Sequence, residues 1–255
     1  MLNLSIFNKF DFKIKPVGIN FLLKKPEGVE RLQKNLALCE MFKEAQEAER
    51  PFYTDFENHT CGGGPGSLGL SATKTASWTA VLPVIHSGRL GIKYKIFKHP
   101  VANRRTLLAT PKLGENSVKY VLFSPFDKIL LDPDVLLITA RPRQAEIILR
   151  AYSYTTGAIW EPKTTSIVGC AWLVAYPYLT GNLNYTITGL GFGMIARELW
   201  PEGLMLVSIP YDLLPMITQN LQDMEWVLPS YQGGRENHIT FEEAIFEELY
   251  SEIEE

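Results

Sequence analysis

Cysteine is scarce in this chain, basic charge is not in excess, and no long apolar run occurs. Each scarcity removes a class of function. Three cysteines in 255 residues are few and odd in number, which argues against a disulfide framework and for a reducing, cytoplasmic setting. Lys and Arg total 25 against 28 Asp and Glu, a net charge of −3, so a phosphate backbone finds no basic face and nucleic acid is not an expected partner. No run of about 18 apolar residues exists, so neither a spanning helix nor a membrane partner is expected. Met1 to Lys15 alternates apolar and charged residues and lacks the apolar stretch of a signal peptide. Neither Cys-x-x-Cys nor a Ser-His-Asp or paired-carboxylate pattern can be picked out.

What is present describes an ordinary globular chain. Hydrophobic residues make up 46% and charged residues 21%, enough to bury a core without disulfides or metals as staples. One stretch, Thr164 to Ala196, contains no Asp, Glu, Lys, Arg or His. With Pro177 and several glycines in it, this reads as a buried strand-and-turn region. The alternative is the wall of a ligand cavity, which is typically apolar with a few placed polar groups.

Hydrophobic periodicity sets the expected elements. Residues 15–23 read as a strand. Pro26 to Arg50 reads as a helix, because Val29, Leu32, Leu36, Cys39 and Phe42 recur at spacings of three and four. Pro51 to Leu70 reads as loop with a short strand at Phe52 to Thr54. Ser71 to Ser87 is weakly periodic and is expected to be helical. Gly91 to Phe97 reads as a strand and Ala102 to Leu108 as a helix. Val118 to Phe123 and Val135 to Thr139 are strands, with the turn Asp132-Pro133-Asp134 between them. Pro142 opens a helix that Gly157 ends. Met205 to Ile209 is a strand and Pro210 to Met224 a helix. In the tail, Thr240 and Glu243 fit a capping box. Ile245, Phe246, Leu249, Tyr250 and Ile253 form an apolar face opposite seven glutamates in the last sixteen residues. That helix is expected to dock on its own domain or to form a homodimer or partner contact. The expected class is α+β, a mixed sheet flanked by helices, with one domain over 1–228 and a linker and acidic C-terminal helix over 229–255.

The candidate site is a loop. His59 precedes Cys61, which opens a segment with five glycines in eight positions, 62–69. Glycine lets a ligand approach the main chain closely. Gly62, Gly63 and Gly64 are the candidate backbone contacts for a cofactor. Gly64 to Ser71 has P-loop spacing, but Leu70 stands where the lysine belongs and Pro65 lacks an N–H, so a nucleotide triphosphate loses its main charge partner. An anion nest stays open. Gly189 to Gly193 fails the dinucleotide fingerprint at Met194. Cys39, Cys61 and Cys170, with His59, are the candidate metal ligands: thiolates distant in sequence can converge on a soft metal or an iron–sulfur cluster. A redox pair of Cys39 with Cys61 and plain buried thiols are the alternatives. Arg197, which ends the uncharged stretch, is a candidate anion clamp.

Several segments together resemble a known family: Pro16-Val17-Gly18-Ile19-Asn20-Phe21-Leu22, Cys39 with Ala45, Cys61-Gly62-Gly63, and Leu68-Gly69-Leu70. Pro133 to Ile138, Gln144, Tyr152 and Gly157 continue the set, followed by Cys170, Gly189, Gly193, Arg197 and Ile209-Pro210. The set, over roughly residues 10 to 225, resembles the uncharacterised archaeal-conserved-region (ArCR) family of archaea and anaerobic bacteria. The resemblance implies no assigned activity. It implies that the three cysteines occupy motif positions and act together. Further cysteines that the family carries near Gly189 to Arg197 are Leu190 and Met194 here, which leaves a three-thiolate site. The expected function is therefore a cytoplasmic protein that binds a small-molecule ligand, a cofactor or a metal centre in an apolar pocket. A metal-free enzyme or binder of a small anionic ligand, and a non-catalytic interaction protein using the C-terminal helix, are the other readings.

Overall fold

The computed structural model describes residues 2–70, 85–187 and 192–254. In chain order the elements begin with a 3-10 turn at Ser5–Phe10. They continue with β1 (Val17–Leu22), β2 (Glu30–Arg31), α1 (Leu38–Glu47), β3 (Phe52–Thr54), α2 (Gly63–Ser67), α3 (Arg89–Lys93) and α4 (Pro100–Ala109). Next come β4 (Tyr120–Pro125), β5 (Val135–Ala140), α5 (Pro142–Ser153), α6 (Gly169–Thr180), β6 (Asn184–Ile187) and α7 (Phe192–Ile195). The last three are β7 (Met205–Pro210), α8 (Leu214–Asp223) and α9 (Gly234–Glu254).

Among the described residues seven strands form one mixed sheet in the order β2-β3-β4-β1-β5-β7-β6. Only the β2–β3 pair is parallel. Side chains alternate between the faces of a strand, and that period splits the core in two. Val17, Ile19, Val121, Phe123, Leu137 and Leu206 face a layer containing α1 and α6. Leu136, Ile138, Val207 and Ile209 face the N-terminal turn, α5 and α8. The α+β class and the acidic C-terminal helix are both present.

Several elements differ from expectation for local reasons. The helix expected from Pro26 starts only at Leu38. Upstream, the chain is held extended against β3. Arg31 donates to both carboxylate oxygens of Asp55 at 2.8 and 2.7 Å. Buried Asn58 donates to the carbonyls of Leu32 and Lys34 at 2.8 and 3.0 Å, so those carbonyls accept from a side chain and not from a helical backbone. Gly28, at φ +69°, turns the chain before β2. Helix α1 then begins where Ala37 N–H donates to Glu40 Oε2 at 2.6 Å.

The strand expected at Gly91 to Phe97 is instead α3. Its closing turn takes the amides of Tyr94, Lys95, Ile96 and Phe97 into bonds with the carbonyls of residues 90–92. The described part of the uncharged stretch is mainly helix, not strand and turn. Helix α6 buries Ala171, Leu173, Val174 and Ala175 against the sheet, and a helix enclosed on most sides needs no charged face. Asn184 donates to Trp172 O at 2.7 Å and Gly181, at φ +66°, ends the helix. Strand β4 begins two residues later than expected. The helical expectation for Ser71 to Ser87 lies mostly outside the described residues.

The tail helix starts at Gly234, before the expected capping box. Thr240 sits inside it and donates to Glu236 O at 3.1 Å. Helix α9 packs on the turn Pro229–Tyr231. Its apolar residues stay exposed, Tyr250 at 67% and Ile253 at 80%, so it does not dock on its own domain.

Beside the central strand, the expected turn Asp132-Pro133-Asp134 supplies a clamp. Register between β1 and β5 ends at Ile19. Beyond it, Phe21 N–H donates to Asp134 Oδ2 at 2.7 Å and Asn20 Nδ2 to Asp132 O at 2.7 Å. Burial pushes the Asp134 carboxyl above its ordinary value, only partly offset by the Phe21 bond. A carboxyl raised on folding lends stability in acid and loses it as pH climbs through the folded value. Asp134→Asn keeps an acceptor for Phe21 and removes the charge. The variant is expected to be at least as stable as wild type at pH 7, and its advantage should shrink as pH falls towards 4. Urea denaturation midpoints across that range measure this.

Candidate functional site

Helix α2 is a single turn whose glycines let it fit between two larger elements. A Cβ on Gly64 would stand 2.7 Å from Leu38 Cβ of α1 and 3.2 Å from His59 Nδ1. A Cβ on Gly63 would stand 3.3 Å from Val168 Cγ1, just before α6. Without those side chains, α2 packs against both α1 and α6. Cys39 is the second residue of α1, Cys170 the second of α6, and Cys61 lies two residues before α2. The wedge therefore brings three cysteines, from positions 39, 61 and 170, to one place.

All three line a cleft of about 820 Å³. Its walls also include Gly62, Gly63, Gly66, Ile167, Val168, Gly193, Met194 and Arg197, and its surface is mainly apolar. A second wall comes from α3, α4 and the segment that follows them, including Leu90, Gly91, Asn103, Leu107 and Leu113. Leu113 N–H donates to Ser67 O at 2.9 Å, tying that wall to the end of α2. Gly69, at φ +65°, lies so close to Gly114 that a Cβ would stand 2.2 Å from its carbonyl oxygen.

The thiols sense one another. Burial pushes Cys39 up to about 11, and charge on Cys61 adds to this, while the Arg197 guanidinium opposes it. Burial also pushes fully enclosed Cys170 well above the ordinary thiol value, with Cys61 and Cys39 adding to the shift. Both are thiols at neutral pH, and a cationic centre is needed to hold them as thiolates. Among the described residues, no group of three or more His, Cys, Asp or Glu side chains has the arrangement that would hold a metal ion.

Arg197 reaches the cleft from the turn after α7. Its Nη1 donates to Gly193 O at 2.9 Å, and its Nε lies 3.3 Å from Glu40 Oε2. The same Glu40 oxygen accepts from Ala37 N–H, so the arginine is braced on the start of α1 next to Cys39. His59 is elsewhere. It does not line the cleft; its ring lies against the Gly64 backbone, both nitrogens are buried without a partner, and burial pulls it down to about 4. The P-loop-like segment is closed as helix: the amides of Gly66, Leu68 and Leu70 bond to the carbonyls of Gly62, Gly64 and Pro65. A nest there would be confined to the Gly62 to Gly64 amides. Of the second glycine cluster, Gly189, Leu190 and Gly191 lie outside the described residues.

Two features of the cleft carry no sequence motif. Val168 holds φ +57°, an uncommon conformation for a β-branched residue that costs roughly 1–3 kcal/mol. It turns the chain so that α6 starts on the cleft. Asn103 belongs to a helix of weak periodicity, and its only signal is the pair Gly88 and Gly91 on the preceding turn.

With this geometry in place, comparison with known proteins is informative about kinship. The model of the family described as uncharacterised ArCR matches residues 5–220. The chain belongs to the ArCR family. An uncharacterized protein of Methanocaldococcus jannaschii is 26% identical over 203 residues, covering 79% of this chain and 83% of that protein. No solved structure matches. The family match ends before α9, and the wedge, the three cysteines and Arg197 all fall inside it. Among the described residues no helix is long and apolar enough to cross a membrane.

The wedge makes a direct prediction. Gly64→Ala forces a methyl against Leu38 Cβ, and overpacking of that kind costs about 1–3 kcal/mol even after the gain in helix propensity. The variant should melt at lower temperature than wild type, and Cys39 and Cys170 should react faster with a thiol reagent as α1 and α6 loosen. Gly66→Ala, where a Cβ meets open space, should do neither.

Proposed function

We propose that this ArCR protein binds a small cofactor in the cleft, with Cys39, Cys61 and Cys170 as its soft ligands. Gly62 to Gly64 provide close backbone access, and Arg197 balances negative charge at the thiol end. The observation that carries the reading is the meeting of three cysteines from α1, the α2 loop and α6 on one apolar wall. Buried thiols scattered through a core would not share each other's field. A centre of the iron–sulfur type is one form that such a cofactor takes on thiolates distant in sequence. Such a centre, when bound, supplies the positive charge that the raised thiols need in order to ionise. Loading should therefore release protons and weaken as pH falls.

Iron, sulfide and general metal analysis, with a visible spectrum, on anaerobically purified protein tests this. Stoichiometric metal and colour in wild type, lost in Cys61→Ala and Cys170→Ala variants that still fold, are expected. Colourless, metal-free protein that loads nothing on anaerobic reconstitution would sink the thiolate-centre reading.

A second reading concerns α9, favoured by its exposed Phe246, Leu249, Tyr250 and Ile253. An isolated helix of this length is marginal in water without a partner. A homodimer through α9 would bring like-charged glutamate faces together, so it should tighten with added salt as repulsion is screened. Sedimentation of the full chain is expected to show a salt-strengthened dimer that Phe246→Ser with Leu249→Ser returns to monomer. A monomer at all salt concentrations removes the self-pairing reading.

A further inference from the structure

The second wall of the cleft carries a polar group that neither the fold nor the thiols use. Asn103 lies on α4 and is 3% exposed, yet it lines the cleft. Its Nδ2 donates to Gly88 O at 3.1 Å, which fixes the amide's orientation, since the reverse orientation would set two oxygens against each other. Its Oδ1 is buried and has no partner. An unsatisfied buried acceptor costs about 1–3 kcal/mol, a cost that a ligand's donor would relieve.

The amide is also held in place by design of the backbone around it. A Cβ on Gly91 would stand 2.8 Å from Asn103 Nδ2 and 2.8 Å from Phe97 Cδ2. A Cβ on Gly88 would stand 2.3 Å from Pro100 O. Both glycines are needed for α3 and α4 to close on each other and clamp Asn103. The clamp leaves one hydrogen-bond acceptor without a partner, on a residue that lines the apolar cleft.

We infer that Asn103 Oδ1 is a recognition group for the bound molecule, accepting a hydrogen bond from an N–H or O–H on a mainly apolar, ring-bearing ligand whose anionic end lies toward Arg197. The inference rests on the cleft being a ligand site, as proposed above, but not on the thiols holding a metal. The cleft volume of about 820 Å³ accommodates a molecule of several fused or linked rings. Leu90, Leu107, Leu113 and Met194 supply apolar contact. A site built to accept a hydrogen bond rejects analogues that lack the donor, because the acceptor is then buried unpaired. Asn103 is thus a specificity-determining residue on the wall that does not carry the thiols.

The test uses the full chain, reduced and metal-free, with 2-anilinonaphthalene-6-sulfonate as fluorescent probe. That dye joins apolar rings, a free arylamine N–H and an anionic sulfonate. Its N-methyl analogue has the same rings and charge without the donor. Wild type is expected to bind the N–H dye at one site about tenfold more tightly than the N-methyl dye. Asn103→Leu should weaken N–H dye binding about tenfold and abolish the preference between the dyes. Arg197→Gln should weaken both dyes alike. Because the protein is tested metal-free, a failed metal analysis does not bear on this result. Equal affinity of wild type for the two dyes overturns the inference even if Asn103→Leu fails to fold. So does dye binding that Asn103→Leu leaves intact.

Discussion

The candidate site depends on the close approach of one helical turn to two longer helices. Helix α2 packs against Leu38 on one side and Val168 on the other: a Cβ at position 64 would clash with Leu38, and one at position 63 would require Val168 to give way by a few tenths of an ångström. Everything else about the thiols follows. Cys39 and Cys170 sit in the first turns of α1 and α6, so bringing those ends together also brings the sulfurs together. A helix of three glycines, a proline and a serine has almost no intrinsic stability. Packing holds it, and its composition reflects the need for thinness more than for helicity.

The sheet sets the stage for that approach. The α1 and α6 layer covers one face of the strands, while the N-terminal turn, α5 and α8 cover the other. Central strands covered on both faces read as nearly continuous apolar runs, which is why β5 and β7 were legible from sequence. Strand β1 was legible for the same reason. Short β2 was not. Its two residues lie inside a sequence with helical spacing, and what keeps them extended is remote: the Asp55 carboxylate and the Asn58 amide, more than twenty residues on. Periodicity reports which side chains are buried. It does not report which carbonyls a distant side chain will claim. The same limit explains α6, where an absence of charge marked burial correctly but left the choice of helix or strand open.

The site was legible in outline and illegible in its second wall. The run of glycines beside Cys61 pointed to close backbone approach, and Arg197 pointed to a charge at the end of an apolar stretch. Both lie on the cleft. His59 shares the loop with Cys61 but does not line the cleft: its backbone bridges to Leu36 and its ring lies beside Gly64. Sequence proximity is a poor guide to direction in a loop. Asn103 had no motif at all. Its significance lies in a bond it makes and one it lacks, and neither is visible until Gly88 and Gly91 are seen beneath it.

The two walls present opposite problems of charge. On one, burial holds Cys39 and Cys170 as thiols, and Arg197, braced by Glu40, opposes that at Cys39. On the other, a fixed dipole offers an acceptor with no donor to meet it. A ligand with a donor at its apolar end and negative charge at the other would relieve both. The arginine would gain a partner besides Glu40, and the amide oxygen would gain its missing hydrogen bond. If a cationic centre also occupies the thiol end, the sulfurs ionise and the distribution of charge there changes. Occupancy of one end then alters the electrostatic field felt at the other. Cofactor and organic ligand would bind with a coupling that depends on pH through the thiols and not through Asn103.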